Sequence, residues 1–116
     1  MKCAAIQMVS SPDVAENVQT AARLARDAAA QGVELAVLPE YFCLLGRKDT
    51  DKLDIQENPG HGPIQEALAA MARDNGVWLV GGTLPLSTGV DGRVYNSTLV
   101  FLSLIHISEP TRRRGI

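Results

Sequence analysis

An apolar run stopped by a proline and followed by one acid constrains this chain more than any other stretch. Residues 34–38 (ELAVL) have the length and content of a buried strand, and Pro39 ends it. The chain then presents Glu40, followed at once by Tyr41 and Phe42. Open α/β sheets carry their chemistry at the carboxyl ends of buried strands, which is where Glu40 would stand. The apolar flank is expected to desolvate Glu40 and raise its pKa towards the range useful to a general base. The same residue could instead cap the next turn or pair with a nearby Arg or Lys.

The rest of the chain alternates in the same way. Residues 3–9 (CAAIQMV) read as a central strand covered on both faces, and Ser10, Ser11 and Pro12 break it. Asp13 is placed as an N-cap, with Glu16 three residues on. Val14, Val18, Ala21, Ala22, Ala25, Ala28 and Ala29 then repeat at helical spacing, and Gly32 ends the helix. The many alanines imply close approach to a sheet. After the Glu40 corner, residues 44–62 form a long polar connection of the kind that builds lids and pocket walls. Pro63 opens a second helix with the stripe Ile64, Leu68, Met71 and Ala72, and Asn75-Gly76 closes it. Residues 77–86 (VWLVGGTLPL) predict a third strand, with Gly81 and Gly82 admitting a bulge or close backbone approach. A turn over 89–92 leads to a fourth strand over 94–101. The order β-α-β-loop-α-β-β describes an α/β layered domain whose last two strands form a hairpin.

Composition narrows the function classes. A chain of 116 residues, 46% hydrophobic and of net charge −2, is at most one small domain with a real core. There is no basic excess for nucleic acid and no polybasic patch for an anionic membrane. The opening MKCAAIQMVSS is too short for a membrane span and too polar afterwards for a signal peptide, which points to the cytoplasm. Cys3 and Cys43 are expected as free, buried thiols rather than a disulfide.

Five segments in this order resemble the N-terminal portion of the nitrilase, or carbon–nitrogen hydrolase, superfamily. They are AAIQM at 4–8, LAVLPEYF at 35–42, GPIQEAL at 62–68, VWLVGGTLPL at 77–86 and RVYNSTLVF at 93–101. Within the superfamily they are most similar to the Nit-type ω-amidases and deaminated-glutathione amidases, which hydrolyse small carboxylate-bearing amides. The resemblance implies an α-β-β-α sandwich of which this chain is a truncated part. It also implies a homodimer or higher homo-oligomer formed through a helix face, and no cofactor. It further implies a Glu–Lys–Cys triad in which Glu40 is the base and Tyr41 and Phe42 wall the substrate pocket. The base would take the thiol proton, the thiolate would attack the amide carbon, ammonia would leave, and water would hydrolyse the thioester.

The family is more than twice as long as this chain, and its Lys and Cys motifs are not present here. The expectation is therefore a parent amidase and an inactive fragment. Cys43 is rejected as a substitute nucleophile, since no elbow motif surrounds it and no His neighbours it. Lys48 and Lys52 read as solvated charges, His61 as a loop residue, and Asn96 as satisfying backbone groups on its strand. Gly81-Gly82 lacks the strand–GxGxxG–helix setting of a nucleotide site. Two rivals remain: a non-catalytic binding or dimerising module, and a parent acting as a nitrilase or N-carbamoyl-amide hydrolase.

Residues 1–101 carry the resemblance, and residues 102–116 do not. LSLIHISEPTR at 102–112 matches the in-frame translation of a transposase-based sequencing adapter, which makes the tail a non-native scar and His106 spurious. The alternative is a continued strand with a basic end. Without the tail's three Arg and one Glu the net charge moves from −2 to −4.

Overall fold

The computed structural model describes residues 1–46, 48 and 51–102, and the backbone of 111 and 112. His106 and most of the tail lie outside these. Helix α1 (Val14–Ala30) begins where expected: the Asp13 carboxylate accepts from the Glu16 backbone N–H at 3.1 Å. Its buried face is Asn17, Ala21, Ala25 and Ala28, small enough for close packing. Helix α3 (Pro63–Asn75) has Pro63 at its first position and ends on Gly76 in the left-handed conformation. It buries Ile64, Leu68, Met71 and Ala72, and α1 packs against it.

Strands β1 (Cys3–Ala5), β2 (Leu35–Val37) and β3 (Trp78–Val80) are parallel neighbours, and β6 (Val100–Phe101) closes the sheet antiparallel to β3. One row across this sheet, Ala4, Ala36, Leu79 and Phe101, faces the core, where α3 packs on β3 and β6. The opposite face carries Cys3 and Trp78, both exposed, with Leu35, Val37, Val80 and Val100 half-buried. The first strand is thus an edge strand open on one face rather than a central strand covered on both, because both helices lie on the other side. For the same reason Cys3 is an exposed thiol, not a buried one; both cysteines are free.

The predicted third and fourth strands form antiparallel pairs as expected, but each is broken in two. Beyond β3 the chain re-forms as β4 (Leu84–Ser87), and β5 (Val94–Thr98) precedes β6. β4 and β5 belong to a second sheet of order β4-β5-β7, where β7 is Thr111–Arg112. One bent hairpin therefore serves two sheets. The bend has a local cause: Gly82 adopts φ +67, and Gly81 N–H donates to the Leu99 carbonyl at 2.8 Å across the break.

The polar connection is more ordered than a plain loop. It contains a single helical turn, α2 (Asp51–Asp54), and a parallel bridge from Glu57 to Leu86. Glu57 N–H donates to the Pro85 carbonyl at 3.1 Å, and Ser87 N–H donates to the Glu57 carbonyl at 2.8 Å. Among the described residues, no helix is long and apolar enough to cross a membrane.

Candidate active site

The corner after β2 is built from backbone constraints rather than helical or strand structure. Leu38 N–H still bonds the Val80 carbonyl at 2.9 Å, and then the chain turns at Pro39. Gly82 lies directly beneath, and a Cβ there would collide with the Pro39 carbonyl oxygen. This is the close approach that the glycine pair predicted. Tyr41 takes a left-handed backbone, φ +50, a conformation costing a non-glycine residue about 1–3 kcal/mol. Such a residue persists only where its surroundings over-determine it.

Five side-chain hydrogen bonds do so. Tyr41 N–H donates to Thr83 Oγ1 at 2.8 Å. The Ser10 hydroxyl donates to the Phe42 carbonyl at 2.8 Å. Asn17 Nδ2, buried on α1, donates to the Cys43 carbonyl at 2.8 Å and to the Ser11 carbonyl at 2.7 Å. Asn17 Oδ1 accepts from Ser11 N–H at 2.8 Å. Leu45 N–H adds a backbone bond to the Ser11 carbonyl at 3.0 Å. The corner is therefore tied to the end of the first strand segment, to α1 and to the hairpin bend at once.

On this frame Glu40 is exposed. The expected desolvation is not met, because Leu38, Phe42 and Cys43 turn down into the core and leave the carboxylate on the surface. Phe42, expected as a pocket wall, is fully enclosed and packs beside Gly82. Tyr41 is half-buried and lines a groove of about 290 Å³ with Leu44, Leu45, Ile55 and Pro85. Burial first, then the charges of Glu40 and Cys43, hold the Tyr41 hydroxyl above its usual pKa, while a hydrogen bond from Asn96 works the other way. Asn96 was expected to satisfy strand backbone. Instead its side chain meets Tyr41, and its Oδ1, buried, has no partner among the described residues.

The remaining candidates divide by position. Cys43 is fully enclosed, and burial pushes its thiol up to about 12, so it is no ready nucleophile. Cys3 is exposed but pairs with Leu35 at the start of β2, the opposite end from Glu40. Lys48 and Lys52 line the same groove as Tyr41, a placement that a reading as plain solvated charges missed. His61 is exposed in a turn whose carbonyl accepts from Gln65 Nε2 at 2.6 Å.

Sequence reasoning overlooked Asn17, Thr83 and Glu57. Asn17 left a signal, being one turn before Ala21 on the apolar face of an alanine-rich helix. Glu57 left none, because it sits in a polar stretch and only the fold buries it. Its carboxylate accepts from Ile64 N–H at 2.7 Å and Gln65 N–H at 3.1 Å, capping α3 from outside the helix. Among the described residues no group of His, Cys, Asp and Glu could hold a metal ion.

Comparison with known proteins agrees with this architecture. The family model described as carbon-nitrogen hydrolase matches residues 2–104. Deaminated glutathione amidase of Homo sapiens is 40% identical over 80 residues, covering 68% of this chain and 24% of that protein. The protein of the same name from Synechocystis is 38% identical over 95 residues, covering 81% of this chain and 34% of its own length. The crystal structure of Saccharomyces cerevisiae Nit3, a nitrilase-superfamily member, superposes with a TM-score of 0.76 at 27% identity. That superposition covers 90% of this chain and 40% of Nit3. The chain thus spans about a quarter to two fifths of these relatives and matches part of the nitrilase fold. On the extent of the family match, the chain belongs to the carbon–nitrogen hydrolase family.

Proposed function

We propose that this segment supplies the general base of an amidase acting on a small non-peptide amide, with Glu40 as that base. The observation that carries the reading is the clamped corner: a family-matched carboxylate, exposed at the carboxyl end of β2, on a backbone held in strain by Thr83, Ser10 and Asn17. A rigid frame of this kind keeps a base in place for proton transfer. Glu40 takes the proton of a thiol contributed by sequence beyond this chain's own cysteines. The thiolate adds to the amide carbon, a lysine outside this segment stabilises the oxyanion, and ammonia leaves with a proton from the acid form of Glu40. Water then hydrolyses the thioester and restores the thiol. The free thiols Cys3 and Cys43 accord with a cytoplasmic setting.

Neither cysteine of the chain suits the nucleophile's role, so the 116 residues alone are proposed to be inactive. An ammonia-release assay on the purified chain checks this, with no turnover above background expected. Turnover that disappears in Cys43→Ala would overturn it. A long DNA read across the Phe101 codon tests the tail, and is expected to continue into a lysine-bearing strand and a cysteine elbow. In the protein so encoded, Glu40→Gln should lower kcat by about 10²–10⁴-fold. Full retention of activity would remove Glu40 from the chemistry.

One observation favours a second reading. The backbone of Thr111 and Arg112 pairs with Thr98 and Ser97, so the tail extends the second sheet. A stop codon directly after Ile116 would make it a genuine element of a non-catalytic module.

A further inference from the structure

Asparagine followed by glycine loses its side-chain amide readily, because a residue without Cβ leaves the next backbone nitrogen unhindered. That nitrogen attacks the asparagine Cγ, the C–N bond of the side chain breaks and ammonia leaves. Water then opens the resulting succinimide to aspartate or isoaspartate. Of the four asparagines in the chain, Asn17, Asn58, Asn75 and Asn96, only Asn75 precedes a glycine. The fold holds this dipeptide in an unreactive geometry. Asn75 is the last residue of α3, and its Nδ2 donates to the Met71 carbonyl one turn back at 2.9 Å, which keeps the side chain along the helix. Gly76 N–H, on the nitrogen that would attack, donates to the Ala72 carbonyl, and Val77 N–H donates to the same oxygen at 3.1 Å. Trp78 N–H then donates to the Glu34 carbonyl at 2.8 Å, so the junction of α3 with β3 is tied on both sides.

We propose that Asn75-Gly76 is a spontaneous modification site gated by the C-terminal cap of α3. The site is closed while the cap is formed, and it converts to aspartate or isoaspartate when the last turn of the helix opens. It does not depend on Glu40 being a base. Conversion also opposes reclosure. The acid form loses the donor to Met71 and places a carboxylate at the negative end of the helix dipole, next to Asp74. Arg73, the basic residue of that turn, is already engaged with Asp74 at 3.1 Å. Isoaspartate adds a backbone carbon just before the buried Val77, at the entry to β3. That strand carries the Val80 carbonyl, which accepts from Leu38 N–H at the start of the Glu40 corner. Loss of the amide is therefore felt at the candidate site without touching it.

Incubation of the purified 116-residue chain at pH 8, in buffer and in denaturing guanidinium chloride, tests the gate, with peptide mass spectrometry reading each asparagine. Conversion is expected at Asn75 ahead of Asn17, Asn58 and Asn96, and roughly tenfold or more faster in denaturant than in buffer. Isoaspartate is expected among the products, since only the succinimide route yields it. Equal rates in the two solvents, no conversion in either, or aspartate as the sole product would overturn the proposal. The obstacle to reclosure is tested separately by urea unfolding of Asn75→Asp and Asn75→Ala, both of which lack the donor to Met71. The aspartate variant should have the lower midpoint, by a margin that shrinks as salt rises. Equal midpoints, or a margin indifferent to salt, would overturn that obstacle.

Discussion

Glu40 and Cys43 sit three positions apart on one corner and meet opposite surroundings. The carboxylate is exposed, while the thiol is enclosed and pushed up to about 12 from an ordinary value of 9.0, chiefly by burial and secondarily by Glu57. Because the folded thiol's pKa lies above the unfolded one, the fold gains from keeping it neutral. That contribution is complete below about pH 9 and is lost as pH climbs towards 12. Tyr41, raised in the same direction, adds to the same alkaline loss. Urea midpoints measured from pH 8 to pH 11 should therefore fall for the native chain and fall less steeply for Cys43→Ala. At pH 8 in the folded chain, iodoacetamide should modify Cys3 and spare Cys43. Equal labelling of both thiols would contradict the burial.

At the scale of elements, α3 depends on a residue that is not part of it. Gly62 gives the helix no side-chain cap, and the Glu57 carboxylate supplies the missing acceptor to Ile64 and Gln65. It can do so because position 62 is glycine: a Cβ there would overlap the Glu57 carboxylate. Gln65 returns the contact, donating to Glu57 Oε1 at 3.1 Å and to the Asn58 carbonyl at 2.8 Å. A buried carboxylate on backbone N–H groups at a helix N-terminus is favoured by both hydrogen bonding and the helix dipole. Glu57→Ala should cost about 2–4 kcal/mol in urea unfolding, from lost charged hydrogen bonds and a cap. Glu57→Gln, which keeps one acceptor, should cost less than half as much. A loss under 0.5 kcal/mol for the alanine variant, well below the ~1 kcal/mol of an ordinary cap, would show that the cap is dispensable.

For the whole molecule, the deciding feature is that both helices cover one face of the four-stranded sheet. The other face leaves Trp78 47% exposed, beside Cys3, Leu35, Val37 and Val80, and β1 presents a free edge among the described residues. Apolar sheet faces and open edges drive association. The chain is expected to bind a hydrophobic dye in its native state and to form concentration-dependent oligomers in sedimentation. Its unfolding midpoint should rise with protein concentration. A monodisperse monomer with one sharp, concentration-independent transition would refute this.

Local chemistry alone determined much of this protein. Asp13, Gly32, Pro63 and Gly76 mark the helix ends, the apolar runs mark the strands, and the Leu-Pro-Glu corner marks the candidate base. These signals were legible because caps, breakers and periodicity act within a few residues of chain. What needed the tertiary structure were properties set by residues far apart in sequence. Only packing shows that Glu40 is left exposed while Phe42 goes to the core, or that Thr83 and Asn17 hold the Tyr41 backbone. Likewise Glu57 caps a helix it does not belong to, and one hairpin divides between two sheets at Gly82. Burial and hydrogen-bond partnership depend on what the fold brings alongside a residue, and a linear pattern carries no record of that neighbour.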